Sequence, residues 1–147
     1  MTQVVTVNMK QEKDYRVAIH FAEGIPVLYG DEPPPLGNAT GPTPAQLLAA
    51  AVGNCLCDSL LFAIRKFKQH PEPIETTVAA TIDRNAENRQ RVQNINVKLT
   101  LGAPGSSIAH LDRALDQFEE FCTVSQSVRQ GFPVTVEVYD SNGLRLK

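Results

Sequence analysis

Apolar and polar residues alternate along residues 4–9 and again along 15–21, and the polar run Gln11-Glu12-Lys13-Asp14 separates them, so the two stretches predict a β-hairpin. Residues 25–29, following Glu23-Gly24, suit a third strand. The period then changes. Thr43 can cap a helix, Pro44 suits its first position, and no further proline interrupts the chain before Pro71. Residues 44–68 therefore predict a helix roughly 37 Å long at about 1.5 Å per residue. Leu47, Leu48, Val52, Leu56, Leu60 and Phe62 fall on several sides of it, which implies a central helix covered on most faces.

After the stop at His70-Pro71-Glu72-Pro73, residues 74–83 and 92–101 return to alternation around a polar connection, predicting a second antiparallel pair. Ala103-Pro104-Gly105 breaks the chain. Ser106 or Ser107 can then cap a helix in which Ile108, Leu111, Leu115, Phe118 and Phe121 recur at helical spacing. Residues 123–130 suit one more short helix ended by Gly131, and Phe132-Pro133 leads into a last strand at 134–139. The predicted order is β-β-β-α-β-β-α-α-β, an α+β pattern in a single domain spanning residues 1–147. One small sheet gives too little cover for so apolar a helix, so a second copy of the chain is expected to share it.

Composition narrows the partners. With 14 basic and 16 acidic side chains and no basic run, nucleic acid is not an expected partner. The opening residues lack the charged and apolar segments of a secretory signal, which points to the cytoplasm. A membrane span at the central helix is disfavoured by Asn54, Asp58 and Ser59 inside its apolar stretch. The segment from Asp31 to Pro44, rich in proline and glycine, predicts a surface loop leading into the helix, where it can line a site.

The candidate chemistry lies in Cys55, Cys57 and Cys122. In a reducing compartment an odd count favours thiols or redox groups over a structural framework. Cys55 and Cys57 are turned roughly 200° apart on one helix, so they cannot readily pair or share a metal ion. The histidines His20, His70 and His110 are scattered without metal-ligand spacing, so no metal is expected. Cys122 falls between two predicted helices, where amide donors and the helix dipole can stabilise a thiolate. Each cysteine also fits the plainer role of a small buried hydrophobe, and for Cys57 that role is the favoured one. Asp58 lies about one turn beyond Cys55; a carboxylate there would raise a thiol's pKa rather than lower it, and a solvent-facing or interface role suits it better.

The stretch PAQLLAAAVGNCLCDSLL resembles the central-helix signature of the OsmC/Ohr proteins, the osmotically inducible and organic hydroperoxide resistance group. FCTVSQSVRQGFPVTVEV resembles their second motif, a cysteine followed by a Val-Ser-Gln helix and a closing strand. The resemblance implies an intertwined homodimer with two long helices at its middle and sheets from both chains around them. It implies a thiol-dependent peroxidase that reduces organic hydroperoxides, with Cys55 the peroxidatic and Cys122 the resolving cysteine, an external thiol or dithiol as reductant, and no cofactor. The sequence departs from that pattern at two places. Ala45 stands where the resemblance implies a glutamate, and the loop from Gly30 to Thr43 holds no arginine. A second reading therefore stays open, in which the same dimer binds a small apolar or thiol ligand and the cysteines are structural or redox-sensing.

Overall fold

The computed structural model describes residues 1–131 and 133–147; Phe132, placed by the sequence at the entry to a last strand, lies outside the described residues. Strands β1 (Asn8–Gln11), β2 (Val17–His20) and β3 (Leu28–Gly30) form an antiparallel sheet in the order β1-β2-β3. Helix α1 (Pro44–Arg65) follows, then the long antiparallel pair β4 (Glu75–Arg84) and β5 (Gln90–Thr100), and finally α2 (Leu111–Gln117) and α3 (Thr123–Gln130). The α+β class, the hairpin and the second strand pair are as the alternation predicts.

Strand β1 begins four residues later than predicted, and Val4 and Val5 are exposed. Its register is fixed from the turn, where the Glu12 amide donates to the Arg16 carbonyl at 3.0 Å and Asp14 takes a positive φ, and among the described residues nothing pairs the earlier valines.

Helix α1 starts as predicted, with a reciprocal cap. The Gln46 amide donates to Thr43 Oγ1 at 3.2 Å, and the Thr43 amide donates to Gln46 Oε1 at 2.9 Å. It ends at Arg65, not at residue 68, because Lys68 adopts a left-handed φ of 57° and the last amides bond in tight turns. Before the helix, the proline-rich loop is tied to one buried carboxylate. Asp31 accepts hydrogen bonds from the amides of Glu32, Asn38 and Thr40 and from Thr40 Oγ1, at 2.8 to 3.2 Å.

Two apolar clusters sit on one side of α1. Leu60 and Ile64 join Ile108 and Ala114, while Val52 and Leu56 join Cys122 beneath Ile95, Val97 and Leu99 of β5. The alternation of β4 turns Thr76, Val78 and Ala80 inward, opposite Leu99, Val97 and Ile95. Gly53 permits this close approach, because a Cβ there would strike the Cγ2 of Val78.

The expected cover on most faces of α1 is not met within one chain. Only 28% of its most apolar 18-residue window is buried, and Phe62 is 68% exposed. By length and composition alone α1 could cross a membrane. Here, however, it is the helix on which both core clusters are built.

The segment after β5 differs from prediction in detail. Residues 105–107 form a 3-10 turn in which Ser107 Oγ donates to the Pro104 carbonyl at 2.7 Å, so neither serine caps α2. His110, at a φ of 60°, occupies the cap position, Ile108 lies outside the helix, and residues 118–121 continue as a 3-10 turn with Phe121 exposed. The predicted strand at 134–139 is absent. Residues Val134, Val136 and Val138 alternate but stay exposed, and the tail folds back on itself through the Asp140–Gly143 turn with an isolated bridge between Tyr139 and Arg145. A strand needs a neighbouring edge, and among the described residues the segment pairs only with its own tail.

Candidate active site

Helical geometry sends the two α1 cysteines to different neighbours. Cys55, half-buried, packs against the cluster of Val52, Leu56 and Cys122. Cys57, also half-buried, faces a shallow hollow with Gly53, Asn54, Ile74, Thr76 and Val78 under β4. Cys122 is fully buried, with no exposed surface. The fold thus brings Cys55 and Cys122 together and leaves Cys57 apart, as their angular separation predicts. All three cysteines are free thiols.

Cys122 is the N-cap residue of α3, at the end of the 3-10 turn formed by residues 118–121. The first amides of a helix have no intrahelical acceptor, and here two of them serve sulfur. The Val124 amide favours an anion on Cys55, and the Ser125 amide favours one on Cys122. The neutral Cys122 side chain closes no capping hydrogen bond of its own, so these donors are aimed without being tightly engaged.

The two thiols ionise unequally. Burial pushes the Cys55 thiol up, the Cys122 thiol beside it adds to that, and the Asp58 carboxylate contributes in the same direction. Burial also works against a Cys122 anion, but the Cys55 thiol, the Ser125 hydroxyl and amide and the Ser59 hydroxyl outweigh it, and Cys122 falls below the ordinary thiol value. Of the two thiols, Cys122 is the one that ionises more readily, because more donors converge on it. Asp58 itself is exposed and accepts a hydrogen bond of 2.8 Å from Asn54 Nδ2, the solvent-facing role expected of it.

Beside the pair runs a groove of about 600 Å³ between α1, β5 and α3. Its walls are Leu48, Val52, Leu56, Ile95, Val97 and Val128, and its rim carries Ser125 and the ion pair of Arg129 with Glu119, 2.8 Å apart. A narrower crevice on the other side of Ser59 is lined by Phe62, Phe67, Ala114 and Phe121. Ala45 lies roughly 15 Å up the helix from Cys55, at about 1.5 Å per residue. It lines a shallow hollow there with Glu32 and Arg91 and is not among the groups around the thiols. Arg16 is spent elsewhere, stacked 4.0 Å over the Tyr29 ring and 3.4 Å from Glu12. Among the described residues no cluster of His, Cys, Asp and Glu could hold a metal ion.

Ser59, Ser125 and Arg129 were not singled out by the sequence. Two of them carry a signal in hindsight: Ser59 is one helical turn after Cys55, and Ser125 is three residues after an N-cap.

None of the curated proteins matches the chain. Among solved structures, an OsmC like protein from Mycoplasma pneumoniae superposes with a TM-score of 0.71 at 11% identity, over 88% of this chain and 89% of that one. An organic hydroperoxide resistance protein OsmC from Legionella pneumophila gives 0.63 at 18% identity, covering 87% and 92%. The organic hydroperoxide resistance protein OhrB of Bacillus subtilis gives 0.58 at 18% identity, covering 86% and 91%. At these identities the likeness speaks to the fold, but the model of the family described as OsmC-like protein matches residues 37–137, from the loop before α1 through both cysteine motifs, and the chain therefore belongs to the OsmC-like proteins.

Proposed function

We propose that this protein is a thiol-dependent peroxidase that reduces organic hydroperoxides through Cys55 and Cys122. The observation that carries the reading is the packing of these two thiols against each other, over the first amides of α3 and beside an apolar groove. Cys55, the more accessible sulfur, is the attacking one; the fully buried Cys122 resolves.

The unequal ionisation of the two thiols suggests how the steps run, starting from the Cys122 thiolate. The Cys55 proton passes to Cys122, and the Cys55 thiolate attacks the terminal oxygen of the hydroperoxide. The O–O bond breaks, the alkoxide takes the proton from Cys122 and leaves as an alcohol, and Cys55 becomes a sulfenic acid. The Cys122 thiolate then attacks the Cys55 sulfur, forming the disulfide and releasing hydroxide, which is protonated to water. An external thiol or dithiol supplies the two electrons that restore the pair. The apolar groove favours hydroperoxides with hydrocarbon bodies over hydrogen peroxide. A homodimer in the cytoplasm, with a second copy covering the open side of α1, completes the reading; the exposed Phe62 supports it.

A specific observation favours a second reading, ligand binding without peroxidase turnover. No cation acts on either sulfur among the described residues, Cys55 is shifted away from ionisation, and Ala45 supplies no acid. Consumption of cumene hydroperoxide with dihydrolipoamide as reductant separates the two. The peroxidase reading expects catalytic turnover that far exceeds the uncatalysed rate. A protein that consumes no peroxide, and whose thiols all react with iodoacetamide no faster than a free thiol at neutral pH, belongs to the second reading.

A further inference from the structure

The Cys122 sulfur is the most enclosed nucleophile in the molecule, and the peroxidase reading gives it a step without saying what holds it ready. Its surroundings can be named element by element. From α1 come Val52, Leu56, Cys55 and Ser59; from β5, Ile95, Val97 and Leu99; from the 3-10 turn at 118–121, Phe118; from α3, Val124, Ser125 and Val128. Among the described residues the titratable group that faces it is the Cys55 thiol. Asp58 acts on Cys55 from the exposed side of α1, and Glu119 is paired with Arg129 at the groove rim, presenting its backbone carbonyl to the Cys122 amide at 3.1 Å.

A buried thiolate without a cation must be held by hydrogen-bond donors. Two hydroxyls are available. Ser125 is 4% exposed, and its hydroxyl sits a loose 3.5 Å from the Cys122 carbonyl, free to turn toward sulfur. Ser59 is half-buried on α1, one turn beyond Cys55 and three residues beyond Leu56, so a single stretch of helix carries both the electrophilic partner and a hydroxyl beside the cluster that encloses Cys122. We propose that Ser59 is a positioning residue: its hydroxyl holds the Cys122 sulfur as an anion aimed along α1 at the sulfur of Cys55.

This role rests on the peroxidase reading for its biological step, but not for its test. In the resolving step the S–S bond forms as the S–O bond of the Cys55 sulfenic acid breaks. Diamide reaches the same displacement without peroxide. The first thiol adds to the N=N bond, the second thiolate attacks that sulfur, and the S–N bond breaks to leave the disulfide and a hydrazine. Neither hydroperoxide nor enzyme turnover is needed.

The experiment follows diamide-driven closure of the Cys55–Cys122 bond between pH 6 and 9. It uses full-length Cys57→Ser protein and the same protein carrying Ser59→Ala, Ser59→Thr or Ser125→Ala. Thiolate absorbance at 240 nm is titrated alongside. Removing one hydrogen bond to a charged group should slow closure about tenfold at neutral pH. Ser59→Ala is expected to show that loss, with the gap closing as pH rises and the first thiolate appearing at higher pH. Ser59→Thr, which keeps the hydroxyl, should track the parent, and Ser125→Ala should lose less if its amide still serves. A Ser59→Ala profile that superimposes on the parent, or one lowered equally at every pH with an unmoved thiolate titration, overturns the proposal. If Ser59→Ala shifts as expected while cumene hydroperoxide leaves the parent protein untouched, the positioning role stands and the peroxidase reading falls.

Discussion

Cys55 and Cys57 are two residues apart on one helix, yet they live in different chemistry. Cys55 meets a second thiol and a helix amide, beside a groove walled by its cluster neighbours Val52 and Leu56. Cys57 meets Gly53, Thr76 and Val78 on the side where β4 lies against the helix. A rotation of roughly 200° separates a neighbourhood with a second thiol from one without. Composition and spacing along the chain give the residue types, but the elements that close over each face of α1 decide what the residues can do.

Four substitutions sharpen or break that comparison, beginning with the largest effect. Cys55→Ser should abolish both peroxide consumption and disulfide formation, read from coupled turnover and a thiol count. Residual turnover above background would mean the wrong face of α1 was chosen.

Gly53→Ala tests the opposite face. Alanine gains about 1 kcal/mol of helix propensity over glycine, but its Cβ would strike Val78, a branched side chain on a paired strand, and overpacking costs about 1–3 kcal/mol. A net loss of about 1 kcal/mol is expected in urea unfolding. A stabilised variant would show that β4 can yield, and that the Cys57 side is looser than described.

Asp31→Asn probes the loop before α1, away from both thiols. Its four accepted hydrogen bonds, those from Thr40 first, lower the carboxyl to about 2 from an ordinary 3.8. A depressed carboxyl contributes stability that is complete above the ordinary value and is lost as pH falls toward about 2. Acid unfolding of the wild type between pH 4 and 2 should therefore be steeper than that of Asp31→Asn. Identical slopes would remove Asp31 as the organiser of the loop.

The smallest effect belongs to Cys57→Ser, which should leave peroxide turnover and its pH profile unchanged. A large loss there would erase the distinction between the two faces.

The features legible in the sequence were those set by local rules. Thr43, Pro44 and Gln46 announce the start of α1, and the alternation of residues 76–80 and 95–99 announces which side of the second strand pair faces it. The angular separation of Cys55 and Cys57 follows from helix geometry alone. What escaped depended on partners far along the chain or outside it. Residues 134–139 alternate like a strand, but without an adjacent edge they stay a solvent-exposed arm. His110 displaces the serines as cap because residues 105–107 close a 3-10 turn first, which spacing alone does not reveal. Ser59 and Ser125 look like ordinary helix polar residues until Cys122, more than sixty positions from Ser59, is folded between them.

The most direct test of the central claim is disulfide mapping by peptide mass spectrometry after the reduced protein meets one equivalent of cumene hydroperoxide. A rapidly formed link between Cys55 and Cys122, with Cys57 still free, is the predicted result. Three free thiols after minutes of exposure, or a link that includes Cys57, would contradict it.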